Sequence, residues 1–406
     1  MLGRHAHHYR ALRRSGAVGD GAITGVVGHA ANSFGRSHRA FCQPPGYIGD
    51  IAHSNIGIAA CRQHIVGRLR RHAIELNEAS RHPGNGACGV GWNVGRHDIE
   101  ELLSMPTIGG KEWQGVMEAN GGKIERAINL PHTQYRLRVS AYEEGGDEHN
   151  PNIVFRVLKQ SPMNFEDTGA PRRLLEMVES GRGLMLITGP TGSGKTTTMA
   201  SLLNHINMNF ASHILTIEDP IEYMFPAGKS IVSQREVGTN VPTFADGLRG
   251  AMRQRPNILA IGEVMDRATV DTMLLAAESG HFVIATTHTS SVEDTINRML
   301  SFYDSNERQA RQTTLASTLV GVVGQALVPS MKKDRYFLAT EVLVNTSGVA
   351  NMIRKGEVQG IRNLIRQGAR DGMQDMNAEL TRMVNRNDIH FNDARYASND
   401  PDNLRI

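Results

Sequence analysis

The sequence predicts an α/β protein, a parallel sheet with helices on both faces, organised around a phosphate-binding loop. Three observations predict it. From Gly183 onward, short apolar runs alternate with segments whose apolar residues recur at helical spacing, the pattern of a parallel sheet with crossover helices. The stretch Leu184 to Thr198 reads LMLITGPTGSGKTTT, an apolar run that enters a glycine-rich turn and opens a helix. Two further apolar runs, ILTIEDPIE and ILAIGE, end in carboxylates, and in an open α/β sheet ligands gather at the carboxyl ends of the strands.

The 406 residues leave room for two or three domains. Hydrophobic content of 40% and charged content of 21% are ordinary for a soluble protein. No apolar run approaches the roughly 18 residues of a membrane span. The opening MLGRHAHHYRALRR is basic but lacks the apolar core of a secretory signal. Cys42, Cys61 and Cys88 have neither metal-ligand spacing nor the look of a disulfide framework, so a reducing, cytoplasmic setting is expected.

Residues 1–97 differ from the rest. They hold twelve Arg and no Lys against four acidic residues, so the net charge of +3 hides a basic front and an acidic remainder. Their apolar residues keep neither a period of 2 nor one of 3.6. His5, His7 and His8 could bind a metal, but no carboxylate or cysteine stands near them. A basic segment also suits nucleic acid or anionic lipid, yet the aromatic interleaving of a single-strand platform is sparse. The segment reads as disordered, or as a GC-rich gene translated in the wrong frame.

Around Asp98 the character changes. Asp98-Ile-Glu-Glu-Leu-Leu is good helix-start chemistry, and helical spacing continues through 113–128. Residues 135–142 alternate strictly, as a half-buried strand does, with a polar connection over 143–152 and a returning strand over 153–158. A Pro/Gly-bearing linker at 161–170 leads to a helix over 172–179.

The alternation then places strands at 184–188, 213–217, 258–261 and 282–286, with helices over 195–206, 243–253, 267–279 and 292–301. Residues 305–328 read as helix ending before Pro329, 337–344 as a strand, and 347–385 as helix. The polar end, YASNDPDNLRI, is expected to fray.

Gly189-Pro190-Thr191-Gly192-Ser193-Gly194-Lys195-Thr196 matches GxxxxGK[ST] in full. Glycines let successive backbone N–H groups converge on phosphate oxygens, and the helix N-terminus adds partial positive charge. Lys195 can reach the β- and γ-phosphates, the Thr196 hydroxyl suits Mg²⁺, and Thr197 follows in the first turn. Glu222 is placed to orient or deprotonate an attacking water. Glu263, ending its own buried strand, suits the Mg²⁺ shell. Pattern alone leaves two carboxylates for one catalytic role. His281 and His288 bracket the strand at 282–286, and His288, at its carboxyl end, suits a γ-phosphate sensor. Arg235, Arg249, Arg253 and Arg255 cluster between the strands, and any of them could serve as an arginine finger.

GPTGSGKTTT, TIEDPIE, SQREVG, the strand ending in Gly262-Glu263, and AAESGHFVIATTHT occur in that order. Together they resemble the secretion-superfamily ATPases of type IV pili, type II secretion and type IV secretion, over about residues 98–385 and most specifically over 183–300. The resemblance implies a homo-hexameric ring on a RecA-like P-loop NTPase core, with a PAS-like α+β N-terminal domain and a helical C-terminal part. It implies ATP and Mg²⁺ as ligands, with nucleotide bound between the two domains. By position Glu222 matches the acid-box glutamate, Glu263 the Walker B glutamate, and His281 and His288 the two histidine-box positions. Arg136, Arg138 and Arg156 lie in strands like those that face nucleotide in the ring. The expected division is an atypical segment at 1–97, a partial PAS-like domain at 98–165, and the ATPase domain with its helical end at 166–406.

Three departures bear on the task. The retraction branch carries an AIRNLI motif; the matching stretch here is Gly348-Val-Ala-Asn-Met-Ile353, with Ala350 where an arginine is expected. Asn257 and Met265 replace an acid and an arginine common around Walker B. Paired cysteines of the extension motors' zinc insertion are absent. The expectation is therefore a motor of a conjugal-transfer or Dot/Icm-type secretion machine, cytoplasmic and peripheral to the bacterial inner membrane, working with other apparatus proteins. A pilus retraction or assembly motor is the alternative. A nucleic-acid-binding or scaffold protein gated by ATP, using the basic front, is a second.

Overall fold

The computed structural model describes residues 23–28, 91–93, 96–104, 108, 110–119, 121–129, 135–144, 150–159 and 161–404. The chain divides into two units, Met1–Gln160 and Ser161–Ile406, and each is described by itself. His5, His7, His8 and the three cysteines lie outside the described residues.

In the first unit the described strands are β1 (Ile23–Gly28), β2 (Gly91–Asn93), β3 (Lys123–Asn129), β4 (Tyr135–Glu144) and β5 (Asn150–Lys159). They form a sheet in the order β2-β1-β5-β4-β3, in which β3, β4 and β5 form an antiparallel meander. Alternation along β4 works as its sequence predicts: Leu137, Val139 and Ala141 are buried. They share a core with Ile99, Leu102 and Leu103 of helix α1 (Arg96–Leu103) and with Trp113 and Met117 of α2 (Trp113–Ala119).

Two expectations change here. Helical spacing over 113–128 yields a helix only as far as Ala119; the Gly121-Gly122 pair interrupts it, and Lys123–Asn129 is strand β3. Within 1–97, the backbone of β1 and β2 is strand, β1 pairing antiparallel with β5. Its sequence, ITGVVG, is rich in β-branched residues, but it is too short and glycine-flanked to stand out as periodic.

The second unit carries the predicted architecture. Its strands are β6 (Gly183–Thr188), β7 (His213–Glu218), β8 (Ile231–Glu236), β9 (Ile258–Ile261), β10 (Phe282–Thr286), β11 (Leu319–Pro329) and β12 (Tyr336–Val344). The order is β12-β11-β6-β10-β9-β7-β8. All neighbours are parallel except β11 and β12. Because successive side chains in a strand point to opposite faces, the central strands feed two cores. Leu184 and Leu186 of β6, Leu215 and Ile217 of β7, and Leu259 and Ile261 of β9 enter one. Met185, Ile187, Ile214, Ile258 and Ala260 enter the other.

Helices cover both faces. The first core receives α5 (Phe244–Met252), α6 (Arg267–Glu278), α7 (Val292–Ser301), α8 (Ser305–Thr318), α9 (Ser347–Lys355) and α10 (Ile361–Gln367). The second receives α3 (Arg173–Val178) and α4 (Lys195–Asn209). With every strand residue of β6 buried, the run reads as continuously apolar, as central parallel strands do.

The C-terminal part is less helical than expected. Helix α8 stops at Thr318, and Leu319–Pro329 is β11, paired with β6 on one side and β12 on the other. Its run of valines and glycines is buried on both faces, and continuous apolarity does not distinguish a buried strand from a buried helix. The span 347–385 is three helices, α9, α10 and α11 (Met376–Asn385), separated by glycine-bearing turns. A fourth, α12 (Phe391–Ala397), precedes a tail that is docked where fraying was expected. The Asp400 carboxylate lies 3.3 Å from Arg362 and 3.2 Å from Arg366, and Leu404 is buried.

Candidate active site

The strand order decides which chemistry meets. At the carboxyl edge, β6, β10, β9 and β7 are consecutive neighbours. They end respectively in the glycine-rich loop, the segment with His288, Glu263, and the Glu218–Glu222 acid run. All four functional elements therefore share one edge although up to a hundred residues separate them in sequence.

The loop needs glycine where it bends. Gly194, the N-cap of α4, has φ of 83°, and Gly189 has φ of 148°, backbone that side chains rarely adopt. A Cβ on Gly189 would lie 2.3 Å from the Gln325 carbonyl and 2.6 Å from Ser193 Oγ. Behind the loop, Gln325 of β11 donates from Nε2 to the Ser193 carbonyl at 2.7 Å. Ser193 Oγ is buried with no hydrogen-bond partner. A cradle closed to side chains, an unsatisfied hydroxyl, and the first turn of a helix suit a phosphate group.

Lys195 is buried within this cradle. Its ammonium donates to the carbonyls of Gly189 at 2.8 Å and Pro190 at 3.0 Å, and lies 3.4 Å from His288 Nδ1. His288 Nε2 in turn lies 3.0 Å from Glu263 Oε2. An ammonium has only donors, so Nδ1 accepts and Nε2 carries the proton toward Glu263. Burial lowers the Lys195 pKa to about 8, against the opposing pull of the Glu263 and then the Glu222 carboxylate. Glu222 is thus within electrostatic reach of the phosphate-loop lysine.

Threonines hold the edge together. Thr188 Oγ1 donates to the Thr289 carbonyl at 2.6 Å, and the Thr287 N–H donates to the Ile187 carbonyl at 2.9 Å. Between Walker B and the acid run, the Gly262 N–H donates to the Ile217 carbonyl at 2.8 Å. Glu218 is buried, accepting from Thr216 Oγ1 at 2.6 Å and Gln234 Nε2 at 3.2 Å. Burial pushes its carboxyl up to about 7, the Thr216 and Gln234 hydrogen bonds opposing. For Mg²⁺, Thr196 in the first turn of α4 and Glu263 offer a hydroxyl and a carboxylate, hard oxygen donors of the kind that ion takes.

The remaining expected residues are placed as follows. His281 sits at the amino end of β10, Nδ1 3.1 Å from the Ala276 carbonyl, its own carbonyl accepting the Gly183 N–H. One strand length, about 17 Å for five residues, separates it from the carboxyl edge. Arg253 is exposed at the end of α5. In the first unit Arg136 is buried, Arg138 lies 3.6 Å from Glu125, and Arg156 occupies the register position opposite Arg138.

Sequence reading missed the Gln325 prop, and strand β8, whose IVSQRE sequence was noted only as a motif. It also missed that Ile361–Ile365 read IRNLI, twelve residues beyond the stretch compared with AIRNLI. There the Arg362 N–H donates to Glu293 Oε1 at 3.2 Å, and its guanidinium reaches Asp400. Ala350 is buried in the core of the sheet.

A model of the type II/IV secretion system protein family matches residues 117–391. The chain belongs to that family. The type IV pilus retraction ATPase PilT of Pseudomonas aeruginosa is 35% identical over 269 residues, 66% of this chain and 77% of that protein. A twitching motility protein of Neisseria gonorrhoeae is 32% identical over 292 residues, 72% of this chain and 77% of that protein. The crystal structure of the pilus retraction motor PilT with bound ADP superposes with a TM-score of 0.69 at 34% identity, covering 77% of this chain and 86% of that one. The second unit has the RecA-like α/β fold of these ATPases.

Proposed function

We propose that this chain is a Mg²⁺-dependent ATPase that assembles as a homo-hexameric ring and drives a type IV pilus or secretion machine. The observation that carries the reading is the line Lys195–His288–Glu263 across the mouth of the phosphate loop, with Glu222 in electrostatic reach. Bound ATP places its phosphates on the backbone N–H groups of the loop, Pro190 excepted, and Lys195 exchanges the Gly189 and Pro190 carbonyls for β- and γ-phosphate oxygens. Glu222 orients the attacking water and takes up its proton. His288 stands where the γ-phosphate ends and reports its presence to Glu263. Mg²⁺, when bound, supplies charge neutralisation at the phosphates, and Thr196 and Glu263 are the residues that would hold it or its waters.

Of the tasks weighed above, pilus retraction gains support from the relatives named PilT and twitching motility protein. Conjugal transfer gains none from them. Ile361–Ile365 read IRNLI, so the arginine of the retraction signature is present as Arg362 and Ala350 no longer weighs against that task. A cytoplasmic position at the inner membrane accords with the described residues, in which no helix is long and apolar enough to cross a membrane.

The test is ATP hydrolysis by the full chain across a range of protein concentrations, beside Lys195→Ala and Glu222→Gln. Turnover per chain that rises cooperatively with concentration, vanishes in Lys195→Ala and falls to a slow residual rate in Glu222→Gln supports a ring motor. Full turnover in Glu222→Gln would transfer the water-orienting role to Glu263, and full turnover in Lys195→Ala would remove the site altogether.

A further inference from the structure

Strand β8 is one of the two edge strands of the seven-stranded sheet, and its side chains are used unevenly. Gln234 and Glu236 are two residues apart and so share a face. Arg235, between them, turns to the other face, its guanidinium near Gly250 of α5. The shared face of Gln234 and Glu236 meets the loop that carries Glu222. Gln234 Nε2 donates to the Tyr223 carbonyl at 2.8 Å, and Glu236 Oε2 accepts the Ile221 N–H at 3.1 Å. Ile221 and Tyr223 are the two neighbours of Glu222, so the backbone is gripped on each side of it.

Both grips are themselves anchored. Gln234 also donates to Glu218 Oε1 at 3.2 Å and accepts the Phe225 N–H at 3.5 Å, so one amide reaches from Glu218 to Phe225 with both donors and one acceptor site used. Glu236 is buried, accepts from Thr239 Oγ1 at 3.1 Å, and its own N–H donates to Asn240 Oδ1 at 2.9 Å. From the opposite side, Tyr223 OH lies 2.8 Å from Thr197 Oγ1, two residues past Lys195. The acid loop is therefore pinned between β8 and the helix that carries the phosphate loop.

We propose that Gln234 and Glu236 are positioning residues for hydrolysis, fixing the Glu222 carboxylate relative to the phosphate loop. The proposal rests on the reading of Glu222 as the group that acts on water. Displacement of a reacting group by about 1 Å can cost on the order of 10²-fold in rate, whereas the phosphate cradle does not depend on this clamp. The clamp should thus govern the rate of the chemical step and leave nucleotide affinity alone.

The experiment compares single-turnover ATP hydrolysis and affinity for a non-hydrolysable ATP analogue in the full chain. The variants are Gln234→Met, Glu236→Gln, Glu222→Gln and the double variant Gln234→Met/Glu222→Gln. Methionine keeps the length of Gln234 without its donors, and glutamine keeps the acceptor of Glu236. Expected are a roughly 10- to 100-fold slower step in Gln234→Met with unchanged analogue affinity, and near wild-type rate in Glu236→Gln. In the Glu222→Gln background Gln234→Met should add no further loss, because it acts through Glu222. A wild-type rate in Gln234→Met, an equal fall in analogue affinity, or the same loss again in the double variant would each overturn the clamp. If Glu222→Gln itself turns over normally, the assignment of Glu222 is what fails.

Discussion

His288 Nε2 lies 3.0 Å from a carboxylate oxygen of Glu263, while the other ring nitrogen faces the Lys195 ammonium. One imidazole thus joins the residue that would meet the phosphates to the residue that would meet the metal. The bridge follows from strand order: β10 lies between β6 and β9, so whatever ends β10 sits between the phosphate loop and Walker B. Cutting the bridge with His288→Ala should slow ATP turnover by roughly 100-fold, the low end of the range for a positioned side chain that exchanges protons. ATP-analogue affinity should stay within about twofold, because the loop N–H groups dominate phosphate binding. Steady-state kinetics beside equilibrium titration separates the two; a loss of affinity alone would make His288 a binding residue only.

Lys195 makes binding depend on pH. Its pKa is lowered to about 8 by burial, against Glu263 and Glu222, so its charge is present below that value and lost as pH rises through it. ATP-analogue affinity of the unliganded protein should therefore be flat up to about pH 7.5 and weaken above pH 8. Lys195→Arg should lose that inflection, since guanidinium stays charged throughout. Titrations at constant ionic strength from pH 7 to 9.5 check this, and a wild-type profile flat across the range would contradict it.

Gln325 props the loop from behind through the Ser193 carbonyl, 132 residues away. Gln325→Leu leaves that buried carbonyl unpaired, an effect of about 1–3 kcal/mol. Expected is a fall in ATP-analogue affinity of about tenfold, since 1.4 kcal/mol is a factor of ten. Gln325→Glu should be worse, because a carboxylate would face the same carbonyl oxygen. Affinity measured by titration, with the thermal midpoint as a folding control, decides it.

These residues differ in how they could be read in advance. The phosphate loop was legible because strand, turn and helix are contiguous and the fixed positions lie within eight residues. Glu222 and Glu263 were legible as acids that end apolar runs. His288 was legible as the histidine nearer the site, because it follows the carboxyl end of an apolar run and His281 precedes the amino end. Strand β11 was misread because burial on both faces removes periodicity, and β8 was missed because an edge strand with half-exposed Ser233 and Gln234 looks like a loop. Gln234, Glu236 and Gln325 act on backbone atoms of distant segments, a role that leaves no local pattern.

Glu341 of β12 is 4% exposed, and its Oε2 accepts the Val292 N–H at 3.1 Å. Burial pushes its carboxyl up to about 7, opposed by the Val292 hydrogen bond and aided by Asp375; Arg362 opposes and Glu293 aids more weakly. A carboxyl with a raised folded pKa binds its proton more tightly in the folded chain than in the unfolded one. Its contribution is then fully present below about pH 4.5 and is lost as pH rises to about 7. The full swing is about 3 kcal/mol at 1.36 kcal/mol per unit. Glu341→Gln keeps an acceptor for Val292 and removes the titration. Its thermal midpoint should match the wild type near pH 4.5, rise above it by a few degrees at pH 8, and follow the difference between them across that window. Calorimetry or circular dichroism of both chains at several pH values checks the prediction. A constant offset between the two, independent of pH, would mean that Glu341 is already ionised in the folded chain and that Val292 and Arg362 outweigh the cost of burying it.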